Sequence, residues 1–210
     1  MIKVERSSVM NFENAIRGAR NPLNSWDRMD SVYDESGKYV LGENDLALAK
    51  KLARAGSDHR KFLRQIFVSV DITAPLYWGK EFDTYKVGTV ANSCSTMHKI
   101  HAKTFEREDF SYDRLDEGGL AALDAVIDYL ESERQKFCAD KTNKQAWHNM
   151  IQILPTSYNQ MRTVTLNYEN LINIYYARRS HKLGEWHVFC DWIMSLPYAS
   201  DLIAVKNEDQ

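Results

Sequence analysis

Residues 153–179 read "ILPTSYNQMRTVTLNYENLINIYYARR". Pro155 stops the helix before it, "KQAWHNMIQIL" at 144–154, because the proline ring has no N–H to give and clashes with the preceding turn. "MRTVTLN", at 161–167, is a strand candidate. The aromatic run that follows, "YENLINIYYARRSHKLGEWHVFCDWIMSL" at 168–196, reads as helical until Pro197 ends it. A second strand lies upstream in "RQIFVSVDIT", residues 64–73. There Ile66, Val68, Val70 and Ile72 alternate with Phe67, Ser69 and Asp71, a period of two built on β-branched residues. Strands are few and helices dominate. The expected fold is α+β, a small antiparallel sheet packed by helices.

Working outward, "NFENAIRGAR" at 11–20 reads as a short helix and residues 21–43 as a long loop holding Pro22, Gly37 and Gly42. "NDLALAKKLARAG" at 44–56 is a helix that Asn44 or Asp45 can cap and Gly56 can end. Pro75 suits the first turn of the next helix, "PLYWGKEFDTYK" at 75–86. Residues 102–116 are a charged linker. From Gly118 onward Leu120, Leu123, Ile127 and Leu130 keep helical spacing.

The 210 residues suggest one domain, 1–210, with a core of its own. The net charge of −2 argues against general nucleic-acid or membrane binding. Cys94, Cys138 and Cys190 are too widely spaced for a zinc knuckle or a disulfide framework, and a reduced cytoplasm fits them best. The N-terminus is charged throughout, so neither a signal peptide nor a membrane span is expected there.

His98 and His101 stand three apart and could share a helix face, but no third ligand accompanies them, so surface histidines are the better reading and no metal is expected. Cys94 could be a nucleophile, though it has no basic neighbour in sequence. No P-loop, GxGxxG or GxSxG occurs. Arg178, Arg179, His181 and Lys182 cluster beside Tyr175, Tyr176 and Trp186, a pattern suited to a phosphate plus a flat ring; a solvated helix face is the plainer account. Arg17 and Arg20, also three apart, could serve a phosphate or simply solubilise their helix.

Segments in order resemble the flavin-dependent thymidylate synthases. "AIRGAR" at 15–20 is similar to that family's first helix, and "LARAGSDHRKFLRQIFVSVDITAP" at 52–75 to its helix, Gly/His turn and strand. The resemblance puts His59 against the flavin. In residues 153–179, Asn167 and Asn173 fall on two asparagines that approach the flavin, and Arg178 on the arginine that binds and polarises the pyrimidine. The departure is "TYKVGTVANSCSTM", 84–97, where the family carries R-H-R-x-x-S-x-N-E-x-S-x-R-Y. Thr84, Tyr85 and Lys86 replace Arg-His-Arg. Thr89 and Cys94 replace the serines, Asn92 the Glu and Thr96 the later Arg. An arginine before L-P is also missing. What remains looks like a ligand loop stripped of most of its charge, with small residues whose backbone N–H groups could hold phosphate oxygens.

The resemblance implies reductive methylation of deoxyuridylate (dUMP), with FAD as cofactor and NADPH and methylene-tetrahydrofolate as co-substrates. It places Lys86 with His59, Asn167 and Asn173 at the cofactor, and Thr89, Asn92, Cys94 and Arg178 at the substrate, with Arg178 catalytic. It also implies a homotetramer with active sites between subunits. Arg17, Arg64, Lys80, Arg162 or Arg179 could stand in for the lost phosphate contacts. The competing expectations are a catalytically silent nucleotide- or flavin-binding protein of the same fold, and an unrelated helical interaction domain.

Overall fold

Alternation in sequence becomes alternation in burial along β4 (Phe67–Pro75): Val68, Val70, Ile72 and Ala74 are buried, while Phe67 is exposed. The computed structural model describes residues 2–205. β4 belongs to a small four-stranded antiparallel sheet ordered β1-β4-β6-β5, formed with β1 (Lys3–Met10), β5 (Val90–Ser93) and β6 (Asn159–Asn167). Helices dominate the rest, and the expected class stands.

Packing divides the described residues into two compact units. One holds residues 2–3, 72–84 and 92–163; the other holds 4–71, 85–91 and 164–205. The core of the first is built on α4 (Glu117–Ala139) and α5 (Lys144–Ile153). Leu123, Ile127 and Leu130, the expected helical stripe, meet Met150 there, joined by Ile100, Phe105 and Phe110. Asp116 caps α4 by accepting from the Gly119 N–H at 2.8 Å. α3 (Leu76–Phe82) is also in this unit.

The second unit packs α1 (Phe12–Arg20), α2 (Glu43–Arg54) and α6 (Tyr168–Arg178) around a 3-10 segment, Arg60–Gln65, with α7 (Gly184–Met194) and the short α8 (Ala199–Leu202) closing it. The loop expected at 21–43 contains a small antiparallel hairpin, β2 (Val32–Tyr33) and β3 (Tyr39–Val40). Among the described residues no helix is long and apolar enough to cross a membrane.

Several expectations change. β1 carries no apolar run; most of "KVERSSVM" is exposed, and it sits at the sheet edge, where backbone pairing rather than burial places it. The helix expected to reach Lys86 stops at Phe82, with the Thr84 hydroxyl donating to the Glu81 carbonyl at 2.7 Å. The long helix of 168–196 is two helices, α6 and α7, broken across 179–183. The linker at 102–116 buries Phe105 and Phe110, so part of it is core. Neither Asn44 nor Asp45 caps α2. Asp30 does so from a distance, its carboxylate accepting from the N–H groups of Asn44 at 2.8 Å and Asp45 at 3.0 Å. Gly56 follows the helix in the left-handed conformation (φ +88°), as a C-terminal glycine should.

Asp45 is released for another task. Its fully buried carboxylate meets the Arg20 guanidinium at 2.6 Å and accepts from the Ser31 hydroxyl at 2.5 Å. Arg20 is thus neither a phosphate ligand nor a solubilising charge; it locks α1 to α2.

Gly79 sits in the aromatic helix α3 to make room for an arginine. A Cβ there would lie 2.8 Å from Nη2 of Arg162. That side chain is mostly buried and tied to Asp83 at 2.7 Å. Gly79→Ala should therefore push the end of the Arg162 side chain off Asp83, a cost that alanine's better helix propensity partly offsets, for a net destabilisation of about 1 kcal/mol. Urea denaturation measures it. Arg162→Ala in the same chain should remove most of the glycine effect; additive losses would mean that the two residues do not share the space.

Candidate functional site

α6 begins where the sequence resemblance places an asparagine. Asn167 accepts from the Asn170 N–H at 3.0 Å, and the Asn170 side chain accepts in return from the Asn167 N–H at 3.2 Å. This reciprocal capping box satisfies two N–H groups that the first turn leaves open. The helix is seated by Tyr168, whose hydroxyl donates to the Pro197 carbonyl at 2.7 Å and whose burial pushes its pKa up. Leu171, Ile172 and Ile174 fill the core. That leaves Asn173 exposed and Arg178 half-buried at the last turn.

Arg178 is held by two aromatic rings. Its Nε–H donates to the Tyr85 hydroxyl at 2.8 Å. Its guanidinium carbon lies 4.7 Å from the centre of the fully buried Trp186 ring on α7 and 5.5 Å from that of Tyr85. The two rings meet edge to face, 6.1 Å apart. A cation so placed gains from both ring faces. Neighbouring Arg179 and Lys182 are exposed, Arg179 over the rings of Tyr175 and Tyr176. The basic cluster seen in sequence therefore turns Arg178 and His181 inward, both half-buried against the Trp186 ring, and leaves Arg179 and Lys182 outside.

Residues 85–89 run back along α6 from Arg178 toward its N-terminus. Asn170 Nδ2 donates to the Val87 carbonyl at 2.6 Å. Gly88 is left-handed (φ +73°), and a Cβ on it would lie 3.0 Å from Asn167 Nδ2. Only glycine suits both constraints. Thr89 follows, with its hydroxyl oxygen buried and without a hydrogen-bond partner. Lys86, between Tyr85 and Val87, is exposed. Tyr85, Lys86, Thr89, Asn167 and Arg178 are thus gathered on one helix and the strap beside it.

His59 is exposed on the rim of a groove of about 680 Å³ in the same unit, walled by Pro22, Leu48, Leu52 and Phe62. Its neighbour Arg60 forks onto the Glu169 carboxylate of α6, with contacts of 3.1–3.2 Å, and so fastens the His59 turn to the helix that carries Arg178. Asn92 and Cys94 belong to the other unit. Both are exposed, Asn92 in β5 and Cys94 just beyond it, with the Cys94 N–H donating to the Met161 carbonyl at 2.9 Å. The run expected as a ligand loop is therefore a strap followed by an edge strand.

Of the cations that could replace the lost phosphate contacts, Arg17, Arg64 and Lys80 are exposed, Arg17 donating to Asn14 at 2.7 Å. Arg162 is engaged by Asp83. His98 and His101 share no helix face: His98 lies in a turn and His101 in a three-residue 3-10 helix, its ring against Phe137. Burial and nearby lysines lower the His101 pKa. Among the described residues no group of three His, Cys, Asp or Glu side chains could hold a metal.

Sequence reasoning noted Trp186 as an aromatic beside cations but gave Tyr85, Asn170, Arg60 and Glu169 no role. Tyr85 carried one signal, as an aromatic where the similar family has a histidine.

No protein-family model matches this sequence, and no curated protein does. Solved structures do match its fold. Thymidylate synthase X (ThyX) from Helicobacter pylori, crystallised with FAD and dUMP, superposes with a TM-score of 0.65 at 17% identity, covering 100% of this chain and 98% of that one. The UMP/dUMP methylase PolB from Streptomyces cacaoi, bound with 5-Br dUMP, gives 0.63 at 14% identity over 99% and 96%. From end to end, this chain takes the fold of the flavin-dependent thymidylate synthases.

Proposed function

We propose that this chain is a flavin-dependent enzyme that modifies a pyrimidine nucleotide at the ring. The finer reading is reductive methylation of dUMP, with the carbon from methylene-tetrahydrofolate and the hydride from NADPH. The observation that carries it is Arg178, a half-buried guanidinium fixed between Tyr85 and Trp186 at the end of α6. Activating a uracil at C5 develops negative charge on its carbonyl oxygens, and a preorganised guanidinium stabilises that charge. Fold neighbours crystallised with dUMP or a brominated dUMP support the substrate class.

FAD fits the residues present. The groove beside His59 is within the size range of cofactor sites, with an apolar wall and a polar rim that includes Asp58, Lys61 and Gln65. His59, Lys86, Asn167 and Asn173 would hold the flavin, which supplies the two-electron chemistry when bound. Thr89 would serve the nucleotide from the unit that holds Arg178, with a neutral hydroxyl in place of a charged side chain. The same reading makes the protein a single-domain cytoplasmic homo-oligomer, a tetramer with sites shared between subunits.

A second reading, a silent nucleotide- or flavin-binding protein, draws on one observation: between residues 84 and 97 Lys86 is the only cation. One experiment separates them. Purified protein is incubated with FAD, desalted and titrated with dUMP, then with NADPH without oxygen. The enzyme should stay yellow, show a dUMP-dependent change in its flavin band, and bleach. Colour that responds to dUMP but never bleaches would favour the silent protein. Protein that keeps no flavin at all would sink the enzyme and favour a silent nucleotide-binding protein or an unrelated domain.

A further inference from the structure

We propose that Tyr85 is the positioning residue for Arg178, a neutral phenol that fixes the direction of the guanidinium. The inference rests on the proposed nucleotide site and names a device within it. The Arg178 Nε–H is committed to the Tyr85 oxygen at 2.8 Å. A guanidinium anchored through Nε has its plane fixed, so its outer nitrogens have a defined direction rather than a swept cone. The Trp186 face at 4.7 Å limits rotation from a second side.

Tyr85 is itself held by the strap. Two residues on, the Val87 carbonyl is gripped by Asn170 at 2.6 Å; three residues on, Gly88 lies where a side chain would meet Asn167 and Asn170. The capping box of α6 therefore fixes the strap, the strap fixes the phenol, and the phenol fixes the guanidinium. The phenol oxygen accepts from Arg178, so its own O–H stays directed away from the cation and available as a neutral donor. No proton transfer by Tyr85 is needed.

The test uses Tyr85→Phe, which keeps the ring over Arg178 and removes the oxygen, in the full-length FAD-treated protein. FAD retention should match the parent, and the melting temperature should fall by only a few degrees, the cost of one part-buried hydrogen bond to a charged group. The dUMP concentration that half-saturates the flavin response should rise roughly tenfold or more, because the guanidinium loses the preorganised direction that the bound nucleotide would use. A parent-like dUMP titration of the variant would overturn the proposal. A second measurement needs no ligand. Phenylglyoxal labelling, followed by mass spectrometry, reports how freely Arg178 reacts relative to exposed Arg179. Arg178 should label slowly in the parent and severalfold faster in Tyr85→Phe. Equal rates would also overturn the assignment. If the parent shows no flavin or dUMP response but the labelling rates differ, the anchoring by Tyr85 stands and the nucleotide reading falls.

Discussion

Arg20→Ala lowers the stability of this protein by about 3–5 kcal/mol, the cost of leaving a buried charge without its partner. The Arg20 side chain is 4% exposed and that of Asp45 0%, so the carboxylate left behind cannot recruit water to replace the guanidinium. For a chain of this size the loss corresponds to a fall in melting temperature of about 6–20 °C. Thermal unfolding followed by circular dichroism measures it. The comparison is Arg6→Ala, which removes a pair with Asp71 whose arginine is 77% exposed and should change little. If the two substitutions cost the same, Arg20–Asp45 is not the lock between α1 and α2.

The same pair predicts an acid dependence. Burial by itself would raise the Asp45 pKa, but hydrogen bonds from Ser31 and Arg20 outweigh it and hold the carboxyl below its ordinary value. A carboxyl depressed in the folded state contributes stability above its unfolded pKa, about 3.9, and loses it as pH falls through the lower folded value. The difference between the parent and Arg20→Ala should therefore be largest near neutrality and shrink in acid. A gap that widens on acidification would contradict the assignment.

Arg178→Ala should abolish the dUMP-dependent change in the flavin spectrum while leaving FAD retention and the fold in place. Removing one preorganised donor to developing negative charge costs about a hundred- to a thousandfold in turnover at sites of this kind. Arg178→Lys should not restore it. An ammonium lacks the Nε–H that bonds to Tyr85 and the planar face that lies over Trp186. The response is read by titrating each variant with dUMP under the conditions used for the parent. A spectrum that responds to dUMP as before would remove Arg178 from the site, and with it the main support for a nucleotide-modifying enzyme.

Local periodicity determined much of the fold. The alternation of Val68, Val70 and Ile72 set one face of β4 inward, and Leu123, Ile127 and Leu130 set one stripe of α4 inward, because each pattern matches its element's repeat. Gly56 and Asn167 marked helix ends through backbone and capping preferences carried by single residues. The spacing of Asn167, Asn173 and Arg178 was visible as well, since all three lie on or beside one helix. Tertiary structure decided what no local pattern encodes. β1 has a polar sequence and exists through pairing at a sheet edge. Asp30 caps α2 from outside the helix, freeing Asp45 for a buried charge. Arg20, on the same helix as exposed Arg17, is drawn inward because a carboxylate 25 residues away waits for it. Tyr85 meets Arg178 across 93 positions of chain. Hydrophobic period and helix capping act over a few residues, whereas charge pairing and cation–ring contacts depend on which segments the folded backbone brings side by side.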